Sequence, residues 1–260
     1  SYPKEMIIKE IENSIKHGCK EIWVTSQDNA SYEYNGIKLP ELLNEISDIS
    51  GKFFVRVGMM NPKNVLPILK DLINSYKNKK IYNFLHLPVQ SGDNRILEKM
   101  NRGYKVEDFL KIVEEFRKNL KIQLWTDVII GFPGETEEKF GNTVKLIKKI
   151  RPDWVNVSKF GKRPKTPVKK FKQISSKIIS KRSEEISKIV RQISLEKNRE
   201  WINWEGDILI SKKGKNPGQW MGRNFAYKNI LIENKENLLG KFVKIEVKEA
   251  NYSHLKGILK

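Results

Sequence analysis

The sequence has 260 residues, of which 38% are hydrophobic and 31% are charged, enough for one large folded domain and one small one. No apolar run reaches the ~20 residues that cross a bilayer, no signal peptide is recognisable, and a single cysteine, Cys19, excludes internal disulfides. These features predict a cytoplasmic protein.

Positive charge is distributed unevenly along the chain. Lys and Arg number 50 against 31 Asp and Glu, for a formal net charge of +19. Segment 151–195 carries 13 basic and 3 acidic side chains, against 24 and 20 in 1–150 and 13 and 8 in 196–260. A lysine-rich proteome would raise the total, but it explains this concentration poorly. The pattern favours a polyanionic partner, because binding phosphates releases condensed counterions.

The first 160 residues alternate between predicted helices and strands. Isoleucines at helical spacing between Pro3 and Gly18 predict the first helix. Strands are predicted at 21–26, 53–59, 83–89, 122–130 and 154–160. Helices are predicted at 41–49, 63–76, 106–118 and after the capping residues Asp93 and Thr136.

Five successive strand–helix units with Val-, Ile- and Leu-rich strands predict a parallel sheet covered by helices. A barrel or partial barrel is favoured over an open sheet, because each strand leads directly into a polar loop. The chain opens on a helix with no strand before it, and Ser1 stands in place of Met. We therefore expect a (βα) partial barrel that lacks its first strand.

The character of the sequence changes after Phe160. Segment 161–172 is rich in Pro and Lys and predicts a loop, and 174–197 predicts a long basic helix. Short alternating strands are then predicted at 207–211, 224–233, 241–249 and 255–259, separated by Gly-rich turns. We expect a partial barrel over 1–160, a basic linker and helix over 161–198, and a small all-β barrel of the oligonucleotide-binding kind over 199–260.

Two strand ends carry the candidate ligand site. Segment 86–92 reads HLPVQSG and is followed by MNRGY at 100–104, and segment 127–136 reads DVIIGFPGET. Both are strands that end in Gly and Pro turns, and the second opens a helix whose free amides can meet an anion. Gly131 and Gly134 allow a ligand to approach the backbone closely. Taken singly, each segment indicates either a ligand site at the C-terminal face of a barrel or a tight turn without a ligand.

Together with RPKT at 163–166, these segments resemble the methylthiotransferase family of radical S-adenosylmethionine enzymes. The segments GDILIS (206–211), WMGR (220–223), YKNILIE (227–233) and GKFVKIEV (240–247) are similar to that family's TRAM domain. The resemblance covers essentially the whole chain in the family's order. It is greatest to the archaeal and eukaryotic branch that modifies threonylcarbamoyladenosine in tRNA.

The resemblance implies a specific chemistry. In this family a 4Fe-4S cluster held by a CxxxCxxC triplet cleaves S-adenosylmethionine, and the resulting radical abstracts hydrogen from C2 of a modified adenosine next to the anticodon. A second cluster supports sulfur insertion, and another S-adenosylmethionine supplies the methyl group. Neither cysteine triplet occurs in this chain. We therefore expect a truncated form without the N-terminal cluster-binding part, inactive alone, with no catalytic residue or metal ligand of its own.

The resemblance also places the S-adenosylmethionine site on several strand ends. The residues expected to contact the cofactor are Ser26, Gln27, Asp28, Arg56, Gln90, Ser91, Ile129, Gly131, Glu135 and Phe160. Arg56 is a candidate partner for the methionine carboxylate, because its guanidinium matches a carboxylate in geometry. A structural ion pair inside the barrel is the alternative for Arg56. For His86 we expect a packed, hydrogen-bonded side chain, and for Cys19 a core position.

Basic and aromatic residues alternate in the linker and in the C-terminal segment 199–260, which we call the tail. Such a pattern is typical of surfaces that contact phosphates and stack on bases, here those of the anticodon arm of tRNA. The predicted RNA-binding residues are Arg163, Lys165, Lys169, Lys170, Lys212, Lys213, Lys215, Trp220, Arg223, Tyr227 and Lys228. The alternative for Trp220 is a place in the barrel core. Two other functions stay open, namely an RNA-binding module without catalysis and methylthiolation of a ribosomal protein. The basic tail argues against a basic protein substrate.

Overall fold

The computed structural model describes residues 1–161 and 173–260. The helices of the first part are α1 (Lys4–Lys16), α2 (Leu39–Asp48), α3 (Pro62–Val65), α4 (Leu69–Tyr76), α5 (Asn94–Lys99), α6 (Val106–Asn119) and α7 (Glu137–Ile150). Its strands are β1 (Glu21–Val24), β2 (Glu33–Tyr34), β3 (Ile37–Lys38), β4 (Phe54–Val57), β5 (Phe84–His86), β6 (Gln123–Ile130) and β7 (Trp154–Lys159).

Five of these strands are parallel and form a partial barrel, as predicted. β1 pairs with β4, β5 with β6, and β6 with β7, and a bridge between Val55 and Ile81 joins the two groups. Leu124, Val128 and Ile130 of β6 are buried in the main hydrophobic cluster together with residues of the covering helices. The alternate residues of the five strands point away from that core, to what we call the inner face. The inner face carries Glu21, Trp23, Arg56, Phe84, His86, Trp125, Asp127, Ile129, Trp154 and Asn156.

The second part begins with the long helix α8 (Ser176–Arg199), which packs on β7. Five strands follow: β8 (Glu205–Lys213), β9 (Gln219–Arg223), β10 (Asn229–Glu233), β11 (Phe242–Ala250) and β12 (Leu255–Leu259). They close into a barrel in the order β10-β12-β11-β8-β9, with β10 and β12 parallel and the other pairs antiparallel. This is the small all-β barrel predicted from the sequence.

Two local predictions differ from the structure, and one hairpin was missed. The helix predicted at 63–76 is interrupted between α3 and α4, where Pro67 lies in a 3-10 turn, because proline cannot donate the backbone hydrogen bond. The strand predicted at 224–233 begins only at Asn229, because the Asn224 side chain accepts from two amides and forms a turn. The β2–β3 hairpin was not predicted, although Asn35-Gly36 is a strong hairpin signal.

The two barrels pack directly on each other at the N-terminal ends of the parallel strands. The Asn83 amide donates to the Phe225 carbonyl at 2.8 Å, and the ring of Tyr227 lies 4.8 Å from that of Tyr82 and 4.7 Å from that of Phe84. The second barrel therefore covers the inner face at the N-terminal ends of the strands.

Within the two described ranges, no helix combines the length and apolar character that crossing a membrane requires.

Candidate active site and nucleic-acid interface

A line of hydrogen bonds crosses the inner face on three neighbouring strands. A hydrogen bond of 3.0 Å joins His86 Nε2 to Asp127 Oδ2, and Asn156 Nδ2 donates to Asp127 Oδ1 at 2.6 Å. Trp154 Nε1 in turn donates to Asn156 Oδ1 at 3.1 Å. The His86 side chain is only 14% exposed, so it is packed and hydrogen-bonded as expected. Asp127 and Asn156 were not among the predicted site residues. A polar side chain within an otherwise apolar strand could have indicated both of them.

Arg56 lies on the same inner face, and its contacts distinguish between the two roles predicted for it. In the described part of the chain it forms no ion pair, so the alternative of a structural ion pair is not observed. Its guanidinium carbon instead lies 5.0 Å from the ring centroid of Phe84, 5.1 Å from Trp23 and 5.5 Å from Tyr227. Arg56 is therefore held by aromatic rings, and its charge is not neutralised by a carboxylate of the described chain.

The loop after β1 presents two of the predicted cofactor residues to solvent. Ser26 and Gln27 are exposed at the edge of a cavity of 480 Å³. Asp28 is engaged with its own chain: Oδ1 accepts from the amides of Ala30 and Asn61 at 3.1 and 2.9 Å, and Oδ2 accepts from Asn64 at 2.7 Å. Asp28 thus ties this loop to the loop after β4, and it leaves Ser26 and Gln27 as the side chains that face outward.

Gln90 is half-buried, whereas Ser91 is buried. Gln90, with φ 67°, continues the pairing with β6 through its backbone, donating to Asp127 O at 2.8 Å and accepting from Ile129 N at 2.9 Å. Ser91 is only 1% exposed, and its hydroxyl accepts from the Asp93 amide at 3.2 Å and lies 3.5 Å from Thr143 Oγ1 of α7. Ser91 is therefore turned into the helix layer, and the structure does not bring it together with Ser26 and Gln27.

The turn after β6 is closed by a buried ion pair. The Gly131 amide donates to Glu135 Oε2 at 2.9 Å, and Arg182 Nη1 of α8 donates to the same oxygen at 3.0 Å. A Cβ on Gly131, whose φ is +84°, would lie 2.4 Å from Ile179 of α8, so only glycine fits beneath this helix. Burial raises the pKa of the Glu135 carboxyl, and the Gly131 amide and Arg182 oppose that rise. Glu135 Oε1 is buried without a hydrogen-bond partner in the described chain.

Ile129 and Phe160, two further predicted cofactor residues, lie at the same edge of the sheet. Ile129 is half-buried on the inner face, and the Phe160 ring stacks edge-on against Phe132 at 5.2 Å. The structure therefore brings together Ile129, Gly131, Glu135 and Phe160 at the C-terminal ends of β6 and β7.

Only part of the predicted RNA-contacting set is accessible. Lys212, Lys213 and Lys215 are exposed on the β8–β9 hairpin. Arg223 is half-buried, bonds Asn229 and lies 3.9 Å over the Tyr227 ring. Arg163, Lys165, Lys169 and Lys170 lie outside the described residues.

Three predicted RNA contacts are corrected by the structure. Trp220 is 6% exposed and belongs to the core of the second barrel, which was the alternative considered for it. Tyr227 is 3% exposed and packs against the first barrel. Lys228 is 4% exposed, and its ammonium donates to Asp153 Oδ1 at 2.7 Å and to Asn198 Oδ1 at 2.8 Å. None of the three side chains is accessible to a nucleic acid, because each is enclosed by protein.

Comparison with known proteins agrees with this architecture. The Radical SAM superfamily model matches residues 1–147, and the TRAM domain model matches residues 205–260. The chain is also similar in fold to coproporphyrinogen III oxidase from Escherichia coli, with a TM-score of 0.56 at 15% identity over 94% of this chain and 60% of that one.

Relatives with higher identity carry the names of tRNA-modifying enzymes. Two are probable threonylcarbamoyladenosine tRNA methylthiotransferases, from Archaeoglobus fulgidus (41% identical over 100% of this chain) and Pyrococcus horikoshii (46% over 99%). A third, from Carboxydothermus hydrogenoformans, is a tRNA-2-methylthio-N(6)-dimethylallyladenosine synthase, 36% identical over 100% of this chain. The chain spans 61%, 60% and 60% of the length of these proteins. Because the superfamily model covers more than half of the sequence and the fold agrees, this chain belongs to the Radical SAM superfamily.

Proposed function

We propose that this chain acts in the methylthiolation of N6-threonylcarbamoyladenosine in tRNA, with the anticodon arm as its binding target in the cytoplasm. The observation that carries this proposal is the continuous similarity, across both barrels, to relatives named for that reaction, at 41% and 46% identity. The order of the two domains supports it as well, because a radical enzyme fold is joined to a small barrel with exposed lysines.

The residues beyond the C-terminal strand ends fit S-adenosylmethionine. Ser26 and Gln27 are exposed polar side chains beside a cavity, and the turn after β6, which the buried Glu135 fixes through the Gly131 amide, lies at the same edge of the sheet. When bound, S-adenosylmethionine would supply the radical and the methyl group. The chain's own contribution is to hold the ligand between these two loops and to exclude water with Phe160 and Ile129.

The 260 residues do not fit an iron–sulfur cluster by themselves. They contain one cysteine, Cys19, whose thiol donates to the Glu21 carbonyl at 3.2 Å. Across 1–161 and 173–260, no three His, Cys, Asp or Glu side chains converge in a way that could hold a metal. We therefore expect this chain alone to release no 5′-deoxyadenosine from S-adenosylmethionine under reducing conditions. Release of that product would contradict the expectation.

For the RNA dock we infer the β8–β9 hairpin. Lys213, Lys215 and Lys235 line a cavity of 490 Å³ on this hairpin, and Lys212 is exposed beside them. Four exposed ammonium groups within one small region provide the electrostatic contact that a phosphate backbone requires. We assign Trp220 and Tyr227 no stacking role, because they are buried.

The test is a titration of the chain with tRNA at two salt concentrations. The variant K212A/K213A/K215A removes three exposed charges of the hairpin, and K111A/K145A/K148A removes three exposed charges from α6 and α7 as a matched control. We expect the hairpin variant to bind tRNA more weakly and to reduce the salt dependence by about one logarithmic slope unit for each phosphate that it no longer neutralises. Equal weakening by both variants would mean that net charge, and not the hairpin, binds tRNA.

A further inference from the structure

Arg56 is a cation on the inner face whose guanidinium forms no hydrogen bond with the described residues. Its Nε atom is buried without an acceptor, and neither terminal nitrogen makes a hydrogen bond within residues 1–161 and 173–260. Two carboxylates share this face: Asp127 is bonded to His86 and Asn156, and Glu21 accepts from Trp23 Nε1 at 2.9 Å. Arg56 therefore has donors available for a ligand, and no carboxylate of the described chain forms an ion pair with it.

Three aromatic rings hold the Arg56 guanidinium in place. Trp23, Phe84 and Tyr227 surround it at 5.0 to 5.5 Å from their centroids. Aromatic faces attract a guanidinium and shield it from water, but they carry no full negative charge. A preorganised and partly dehydrated guanidinium is a strong binder of carboxylates, which it can meet with two parallel hydrogen bonds.

The guanidinium of Arg56 extends toward the N-terminal ends of the strands, away from the candidate S-adenosylmethionine residues. Phe84 is the first residue of β5, and Tyr227 belongs to the second barrel, which packs at the N-terminal ends of the strands. Ser26, Gln27 and Glu135 lie in loops beyond the opposite, C-terminal ends. A group that reaches Arg56 therefore lies deeper on the inner face than a ligand held by those loops.

We propose that Arg56 binds the carboxylate of the threonylcarbamoyl group on the substrate adenosine, and that it thereby selects this nucleoside over uncharged ones. The inference rests on the proposed function, which supplies the substrate. Threonylcarbamoyl carries a carboxylate, whereas a dimethylallyl group and unmodified adenosine carry none. An uncharged substituent leaves the guanidinium without a counter-ion in a partly buried site, which penalises the wrong substrate. The methionine carboxylate of S-adenosylmethionine has the same chemistry, and the experiment separates the two.

The experiment measures binding of three anticodon stem–loop RNAs that differ only at the adenosine 3′ of the anticodon. One carries N6-threonylcarbamoyladenosine, one N6-dimethylallyladenosine and one plain adenosine. We expect wild type to bind the first RNA about 10- to 100-fold more tightly than the other two, the range of hydrogen bonds to a charged group. R56M should abolish this preference without changing affinity for plain adenosine RNA, and R56K should retain part of it.

Two controls keep the result specific. R95M removes the same charge from an exposed position on α5 and should retain the full preference. Thermal unfolding of R56M should remain cooperative, and S-adenosylmethionine should bind wild type and R56M with the same affinity in calorimetry. An unchanged preference in R56M, a wild type without preference, or a loss of S-adenosylmethionine binding alone would each overturn the role of Arg56. If wild type bound none of the RNAs, the proposed function would itself be overturned.

Discussion

Asp127 is the residue at which the inner-face hydrogen bonds converge. Its two carboxylate oxygens contact side chains from both neighbouring strands, His86 on β5 and Asn156 on β7. The Asp127 side chain is only 19% exposed. If the carboxylate is removed by mutation, water can therefore replace only part of its hydrogen bonds to His86 and Asn156. At the scale of single residues, this carboxylate fixes the orientation of the polar groups that a substrate would meet.

We expect D127A to destabilise the protein by about 1–3 kcal/mol, because it leaves His86 and Asn156 without their acceptor in a half-buried site. Urea denaturation measures the free energy of unfolding. D48A, at an exposed position on α2, is the matched control and should stay within about 0.5 kcal/mol of wild type. Equal stability of D127A and wild type would mean that water replaces the carboxylate without cost.

Among the elements, α8 has the most direct effect on the candidate cofactor site. It places Ile179 over Gly131, and Arg182 bonds both the buried Glu135 and the exposed Glu137. The Arg182 guanidinium also lies 5.1 Å from the Phe140 ring of α7. The helix that leads to the second barrel thus closes the turn after β6, and its position decides how much room a ligand has there.

Removing the Arg182 guanidinium should weaken the packing of α8 on the turn after β6. We expect R182M to lower the free energy of unfolding by about 3–5 kcal/mol, because Glu135 is then a buried carboxylate without its ion-pair partner. K181M removes an exposed charge from the neighbouring position and should be nearly neutral. Hydrogen exchange of the α8 amides provides a second readout, and unchanged protection in R182M would refute the role assigned to this pair.

At the scale of the whole molecule, a buried cluster of charges joins the two barrels. Asp153 precedes β7, and its carboxylate accepts from Lys228 of the second barrel at 2.7 Å, from Lys197 of α8 at 3.2 Å and from the Leu124 amide at 2.9 Å. Burial would raise the pKa of the Asp153 carboxyl, but the two ammonium groups outweigh it and lower this pKa. Lys228 thus has an interdomain role, where the sequence suggested RNA contact.

We expect D153N to cost about 3–5 kcal/mol, because Lys228 would remain buried without its counter-ion. D207N breaks the exposed cross-barrel pair between Asp207 and Lys52, at 3.6 Å, and should cost at most about 1 kcal/mol. Thermal or urea unfolding of both variants makes the comparison. Similar losses of stability in the two variants would show that burial of the Asp153 pair adds nothing.

The same carboxylate predicts a pH dependence. Because its pKa in the folded protein lies below the ordinary value of 3.8, its stabilising contribution is fully present above that pH and disappears as the pH falls through the depressed pKa. We therefore expect wild type to lose stability relative to D153N on acidification below about pH 4. Urea midpoints of the two proteins from pH 7 to pH 2.5 measure this difference, and parallel curves would contradict the assignment.

The local patterns of the sequence were sufficient for the order and type of most elements. Continuous apolar strands alternating with amphipathic helices predicted the partial barrel, and short alternating strands predicted the second barrel, because these periods follow from which faces are buried. The motifs at 86–92 and 127–136 predicted strand ends that carry polar side chains. The position of Pro67 and the turn at Asn224 were harder to place, since both depend on where neighbouring residues pack.

What only the tertiary structure decided is the environment of each polar and aromatic side chain. Lys212 and Lys228 belong to the same basic tail, yet one is exposed and the other neutralises Asp153, 75 positions earlier in the chain. Arg56 and Tyr227 come together only because the second barrel packs on the first. Sequence by itself determined the family, the two barrels and the basic character of this protein. Burial and charge pairing depend on contacts between distant segments, so which residues of the candidate site are accessible was decided by how the helices and the two barrels pack.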